Sequence, residues 1–182
     1  KVVERITSGL TGGATDLTTA HRIRENIDVA FQGVIPIGPF IVSGKQAREW
    51  VSAPTNPNGV GNRKVVRPFV NGRDTARRYE DRWIIDFGVE TPLGDAALFE
   101  LPFEYLESQF EIENQARVLA GKPRLREREE RAFRQWWLHQ RARPELRDAI
   151  SGQSRYLATP ETSKHRLFVW LPISNLPGHK LY

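Results

Sequence analysis

Two short apolar runs, residues 65–70 (VVRPFV) and 83–87 (WIIDF), bracket a loop loaded with arginine, and this pairing limits the folds open to the chain. Both runs are rich in β-branched and aromatic residues, the signature of strands half-buried in a sheet. Between them and just upstream lie Arg63, Lys64, Arg67, Arg73, Arg77, Arg78 and Arg82, offset only by Asp74, Glu80 and Asp81. Guanidinium is well suited to bidentate contact with phosphate, so the segment reads as a phosphate grip mounted on a rigid sheet. Asn71, in the Asn71-Gly72 turn signal, has an amide able to bond backbone or base.

The remaining chain supplies short elements of both kinds. Residues 28–37 (DVAFQGVIPI) and 40–42, separated by Gly38-Pro39, predict a strand hairpin. Ser43 is placed to cap a helix over 45–51, and 54–62 (PTNPNGVGN) is dense in loop formers. Residues 96–110 have partial helical spacing, with Pro102 expected to end or kink the helix. Leu125, Phe133, Trp136 and Trp137 predict a long amphipathic helix over 125–140. Pro144 opens a short helix to Ile150, and 155–159 with 166–171 predict a closing strand pair. Strands and helices alternate without a βαβα rhythm, so the fold class expected is α+β, with small mixed sheets flanked by helices. Residues 1–26 read as a linker or the trailing part of a preceding domain, and 27–182 as one domain.

Charge is segregated along the chain. Residues 63–82 carry seven basic and three acidic side chains, residues 122–148 nine and five, and residues 90–115 seven acidic and none basic. Arginine outnumbers lysine 21 to 6, and the formal charge is +5. Such a layout fits a polyanionic partner held on one face, although i,i+4 pairs such as Glu127 with Arg131 and Glu130 with Arg134 account for much of the second cluster. Lys164, His165 and Arg166 form a further basic point before the last strand. No cysteine is present, which excludes disulfides and thiolate chemistry. No apolar run approaches the roughly 20 residues that span a bilayer, so a soluble, cytoplasmic protein without a membrane partner is expected. The start at Lys1 and the lack of methionine read as a piece of a longer chain.

No arrangement of residues makes a convincing catalyst. Asn56-Pro57-Asn58 lacks the second proline and the aromatic of an amino-methyltransferase tetrapeptide and reads as a turn. Thr11-Gly12-Gly13 lacks the strand and helix of a cofactor loop. Glu80, Asp81 and Asp86 invite comparison with a magnesium-dependent nuclease, but no lysine follows before Lys122, and Asp86 is equally suited to pairing with Arg82 or another arginine. The four histidines lack metal-ligand spacing. No catalytic, cofactor-binding or metal-binding residue is therefore assigned.

The ordered series FQGVIPIGPF, PTNPNG, VVRPFVNGRD, RWIIDFG, LPFEYLESQF, QWWLHQRARPELRDAI and RYLATPETSKHRLFVWLP resembles the target recognition region of large single-chain DNA adenine methyltransferases of restriction–modification systems, the MmeI-like type. The resemblance runs from Phe31 to about Pro177. It implies a non-catalytic domain that recognises double-stranded DNA, joined to an upstream methyltransferase domain of the same polypeptide. That upstream domain would hold S-adenosylmethionine and the catalytic motif, and an endonuclease accompanies it in many members. Two departures stand out: the family usually continues beyond the LPGHKLY end, and it usually has an acidic residue where Gly178 stands. DNA contacts are expected from Arg63, Lys64, Arg67, Asn71, Arg73, Arg77, Arg78, Arg82, Lys164, His165 and Arg166. Trp136 and Trp137 are read as core rather than as base-stacking groups. Two other functions compete: a divalent-metal nuclease using Asp81 and Asp86, and a protein-docking module presenting the acidic 90–113 segment.

Overall fold

The computed structural model describes residue 21 and residues 23–165 and 167–182. The chain divides into two units, Lys1–Ala30 and Phe31–Tyr182. In the first, the described residues include a 3₁₀ turn at Arg24–Asn26; residues 1–20 and 22 of the expected linker lie outside the described residues.

The second unit is α+β. Strand β1 (Ile41–Ser43) runs into helix α1 (Gly44–Val51), followed by β2 (Val66–Val70), α2 (Gly72–Ala76), β3 (Arg82–Ile85), α3 (Leu93–Ala97), α4 (Glu100–Leu119), α5 (Glu130–Arg134), α6 (Pro144–Ile150), β4 (Arg155–Ala158), β5 (Val169–Pro172) and β6 (Leu176–Pro177). One four-stranded sheet has the order β1-β3-β2-β6, with β6 parallel to β2 and the other pairs antiparallel. A separate antiparallel ribbon is made by β4 and β5. The two strands around the arginine segment thus form as neighbours, with Val66 opposite Ile85 and Pro68 opposite Trp83.

The main core gathers Val42, Val66, Phe69, Ile84 and Ile85 of the sheet with Trp50 of α1 and Phe103, Leu106 and Phe110 of α4. Trp136 packs on Phe103 and Phe110 at 5.5 Å between ring centroids, and Trp137 is buried with its Nε1 donating to the Thr91 carbonyl at 2.8 Å. Both tryptophans are thus core side chains. A smaller cluster of Val70, Ala158, Leu171 and Leu181 seats the β4–β5 ribbon.

Three local expectations are corrected. The hairpin over 28–42 does not form: Val34 bridges Gly178, Ile35 bridges Arg141, and β1 pairs with β3. Ile37 and Gly38 both have positive φ, 43° and 134°, and this turn redirects the chain instead of folding it back. Pro102 neither ends nor kinks a helix, because it sits in the first turn of α4, where backbone N–H groups have no helical acceptor. The helix expected over 125–140 shrinks to α5. Arg126 takes a left-handed φ of 58° and turns its guanidinium inward, donating to the carbonyls of Ile37 (2.8 Å), Leu138 (2.6 Å) and Pro36. Buried Leu125 and Trp137 then anchor the ends of an irregular segment. Of the two expected ion pairs there, Glu130–Arg134 forms at 2.6 Å, whereas Glu127 accepts from the Arg124 backbone N–H.

Gly178 is required by its surroundings. A Cβ there would lie 2.6 Å from Phe69 Cζ and 3.3 Å from Asn71 Cβ, so an acidic side chain at this position has no room without movement.

Candidate nucleic-acid interface

The basic residues of the 63–82 segment are distributed to both ends of β2. At its C-terminal end, Asn71 caps α2: its side chain accepts from the Arg73 N–H and the Asp74 carboxylate accepts from the Asn71 N–H, both at 2.8 Å, a capping box. The buried Asp74 carboxylate also receives Arg82 at 2.8 Å, and Arg82 lies 3.2 Å from Glu80. Asp81 accepts both terminal nitrogens of Arg48, at 3.1 and 2.8 Å, and Trp83 Nε1 at 3.2 Å. The Arg48 hydrogen bonds hold the Asp81 carboxyl below its usual range. Once these pairs are made, Arg73, Arg77 and Arg78 stay exposed and have no ion-pair partner among the described residues. Arg77 and Arg78 line an open groove of about 520 Å³ with Tyr79, Glu80 and Asp81.

At the other end of β2, Arg63 and Lys64 belong to a 3₁₀ turn, Asn62–Lys64. Buried Asn62 fixes that turn by donating to the Trp50 carbonyl at 3.1 Å and accepting from Asn56 Nδ2 at 2.9 Å. The 54–62 segment is accordingly the loop expected. Arg63 and Lys64 are exposed at the mouth of a cleft of about 640 Å³ lined also by Arg67, Trp83, Asp86 and Arg147. Arg67 itself is turned inward: it donates to the carbonyls of Ser174 (3.1 Å) and Ile173 (2.6 Å) and lies 3.5 Å from Asp86.

Asp86 is the electrostatic centre of the cleft floor. Arg147 grips it with two hydrogen bonds, and His139 Nδ1 stands 3.8 Å away while its Nε2 bonds the Ile85 carbonyl at 2.8 Å. Burial pushes the Asp86 carboxyl up, but His139 once it is protonated in acid, then Arg147 and Arg67, outweigh this and hold it at about 2. Burial pushes His139 below its ordinary 6.5, so it is neutral at neutral pH and donates to Ile85 through Nε2. The metal-nuclease reading fares poorly here. Asp81 and Asp86 flank β3, about 16 Å apart along an extended strand, and both are engaged by arginines. Among the described residues no group of three or more histidines or carboxylates is placed to hold a metal.

The second basic point lies in the loop joining β4 and β5, where Lys164 and His165 are exposed; Arg166 lies outside the described residues. That loop begins beside α2. Pro160 bridges Leu181, the Glu161 N–H donates to the Lys180 carbonyl at 2.9 Å, and a Cβ on Gly72 would lie 2.9 Å from that carbonyl oxygen and 3.5 Å from Pro160 Cβ. The fold thereby roots the Lys164–His165 loop next to the helix that carries Arg73. Sequence reasoning did not single out Arg155 and Trp170, whose guanidinium and ring stack at 4.4 Å on the ribbon. The runs RYLA and VWLP are too uniformly apolar to mark which face turns outward; the alternation appears only in their burial.

The arrangement defines an α+β domain with solvated cations at both ends of its central strand and its other arginines bound internally. In fold it is similar to part of a solved chain of the type IIL restriction–modification enzyme MmeI, determined in complex with DNA, with a TM-score of 0.58, 13% identity, and coverage of 98% of this chain and 22% of that one. No protein-family model matches the chain, and no curated protein does. At this identity the likeness is one of fold, and the chain spans less than a quarter of the solved chain's length. No helix among the described residues is long and apolar enough to cross a membrane.

Proposed function

We propose that this chain is a duplex-DNA recognition module of a restriction–modification enzyme, binding without catalysing. The observation that carries the reading is the sorting of cations around β2. Arg67 and Arg82 hold the fold together, while Arg63, Lys64, Arg73, Arg77 and Arg78 remain solvated and without carboxylate partners among the described residues. Solvated cations of this kind release counterions when they meet phosphate, which drives binding to a polyanion. Lys164 and His165, rooted beside α2, extend the basic end. The fold likeness to part of a restriction–modification enzyme solved with DNA supports the same reading.

In this account Arg67, Asn71 and Arg82 position the interface rather than touch DNA, and phosphate contact falls to Arg63, Lys64, Arg73, Arg77, Arg78, Lys164 and His165, with Arg166 retained on sequence grounds. The longer enzyme would transfer a methyl group from S-adenosylmethionine to adenine in an upstream domain of the same polypeptide. The test is an anisotropy titration of the chain against a labelled duplex at several salt concentrations: binding that weakens steeply with salt supports the reading, and its absence overturns it.

A further inference from the structure

The β4–β5 ribbon shows solvent an apolar face that nothing in the DNA-contact set uses. Leu157 and Trp170 stand directly opposite each other in the register and are 48% and 58% exposed; Phe168, just before β5, is 61% exposed. The alternate residues, Tyr156, Ala158, Val169 and Leu171, pack into the smaller core, and Tyr156 donates its hydroxyl to the Asn175 carbonyl at 3.0 Å. The ribbon is therefore anchored by one face and free on the other. Tryptophan is costly to leave in water, and here its ring is already backed by the Arg155 guanidinium at 4.4 Å.

We infer that Trp170, backed by Arg155, is a stacking wedge that enters a DNA base step, with Leu157 and Phe168 as its apolar flanks. Charge selects this occupant. Residues 153–172 carry three basic side chains and one acidic one, Glu161, which is neutralised by Lys180 at 2.7 Å. A polyanion therefore suits the face, whereas a second copy of the chain would bring like charge against it. Apolar side chains that part a base step incur an unstacking cost recovered through contact with the bent duplex, and an aromatic platform stacks on any base. The ribbon's loop, with Lys164 and His165, is rooted beside α2, so the wedge and the phosphate contacts share one element.

The inference rests on the DNA-recognition reading, and one experiment separates the two. Affinity is measured for a short fully paired duplex and for the same duplex with one central mismatch, using the wild-type chain, Trp170→Ala and Trp170→Phe. A wedge predicts that wild type prefers the mismatched duplex, whose step is already loosened. Trp170→Ala should lose that preference and bind about tenfold more weakly, while Trp170→Phe retains most of both. The salt dependence of Trp170→Ala should match wild type, since no charge is removed. If Trp170→Ala binds both duplexes as wild type does, the wedge is wrong and the recognition reading stands. Should wild type bind neither duplex, both fall. A change from dimer to monomer in Trp170→Ala with unaltered DNA binding would assign the face to self-association and overturn the wedge.

Discussion

Arg147, in helix α6, grips the carboxylate of Asp86 just beyond β3 with both terminal guanidinium nitrogens, at 3.0 and 2.8 Å. Sixty-one residues separate the two along the chain, so this pair ties the C-terminal helix to the central sheet. Removing one partner of a buried pair leaves the other charge uncompensated, which is far costlier than the pair's net worth. Arg147→Ala is therefore expected to lower unfolding stability by about 3 kcal/mol in chemical denaturation. Magnesium or manganese should not raise the melting temperature of the wild-type chain. A metal-induced rise abolished by Asp86→Ala would restore the metal-site reading.

The neighbouring histidine makes the same region acid-sensitive. Burial lowers the His139 pKa below 6.5, so the stability that goes with its neutral form is present above pH 6.5 and drains away as pH falls below it. Asp86, held at about 2 against an ordinary 3.8, adds a second loss between about pH 4 and pH 2. Melting temperature followed against pH should decline in these two stages. His139→Gln, which keeps a donor toward Ile85, should flatten the first stage and shrink the second, because the imidazolium is the first of the charges that hold Asp86 down.

Arg126 is 8% exposed and is pulled down to about 10 by burial, yet its guanidinium serves the carbonyls of Pro36, Ile37 and Leu138 and packs over Phe40 and Phe110. Arg126→Ala strips donors from several carbonyls at once and should cost about 3 kcal/mol or more. Arg126→Lys should recover little of that loss, because one ammonium does not reproduce the planar fork. Equal stability of Arg126→Lys and wild type in urea titration would contradict this account of the 123–139 segment.

The sorting of arginines makes opposite predictions for near neighbours. Arg82→Ala should lower stability by about 1–3 kcal/mol through the buried Asp74 it leaves behind. Arg77→Ser with Arg78→Ser should leave the melting temperature within a degree or two by analogy with other surface changes. That double variant should weaken DNA binding and reduce the slope of log affinity against log salt by about 2.

The strands around the arginine segment, the Ser43-capped helix and the Pro144 helix were legible because each is dictated locally, by β-branched runs, a cap or a proline at a helix start. The 125–140 segment was misread because the buried Arg126 hydrogen-bonds carbonyls 89 and 90 residues away, a tertiary demand that spacing does not reveal. The same limit applied to the basic residues. Sequence identifies Arg67, Arg77 and Arg82 as equivalent cations, and only the fold places Asp86 and Asp74 beside two of them and leaves Arg77 in solvent. Trp170 escaped notice because the closing strand pair was legible but its sidedness was not: packing of Tyr156, Ala158 and Leu171 into the smaller core is what turns Trp170 outward.

The central claim is that the solvated cations are a phosphate-binding surface, and its most direct test is the salt dependence of duplex binding by the intact chain. Five to eight phosphate contacts predict a line of log affinity against log salt with a slope between about −4.5 and −7. A slope near zero, or no binding at low salt, would contradict the account.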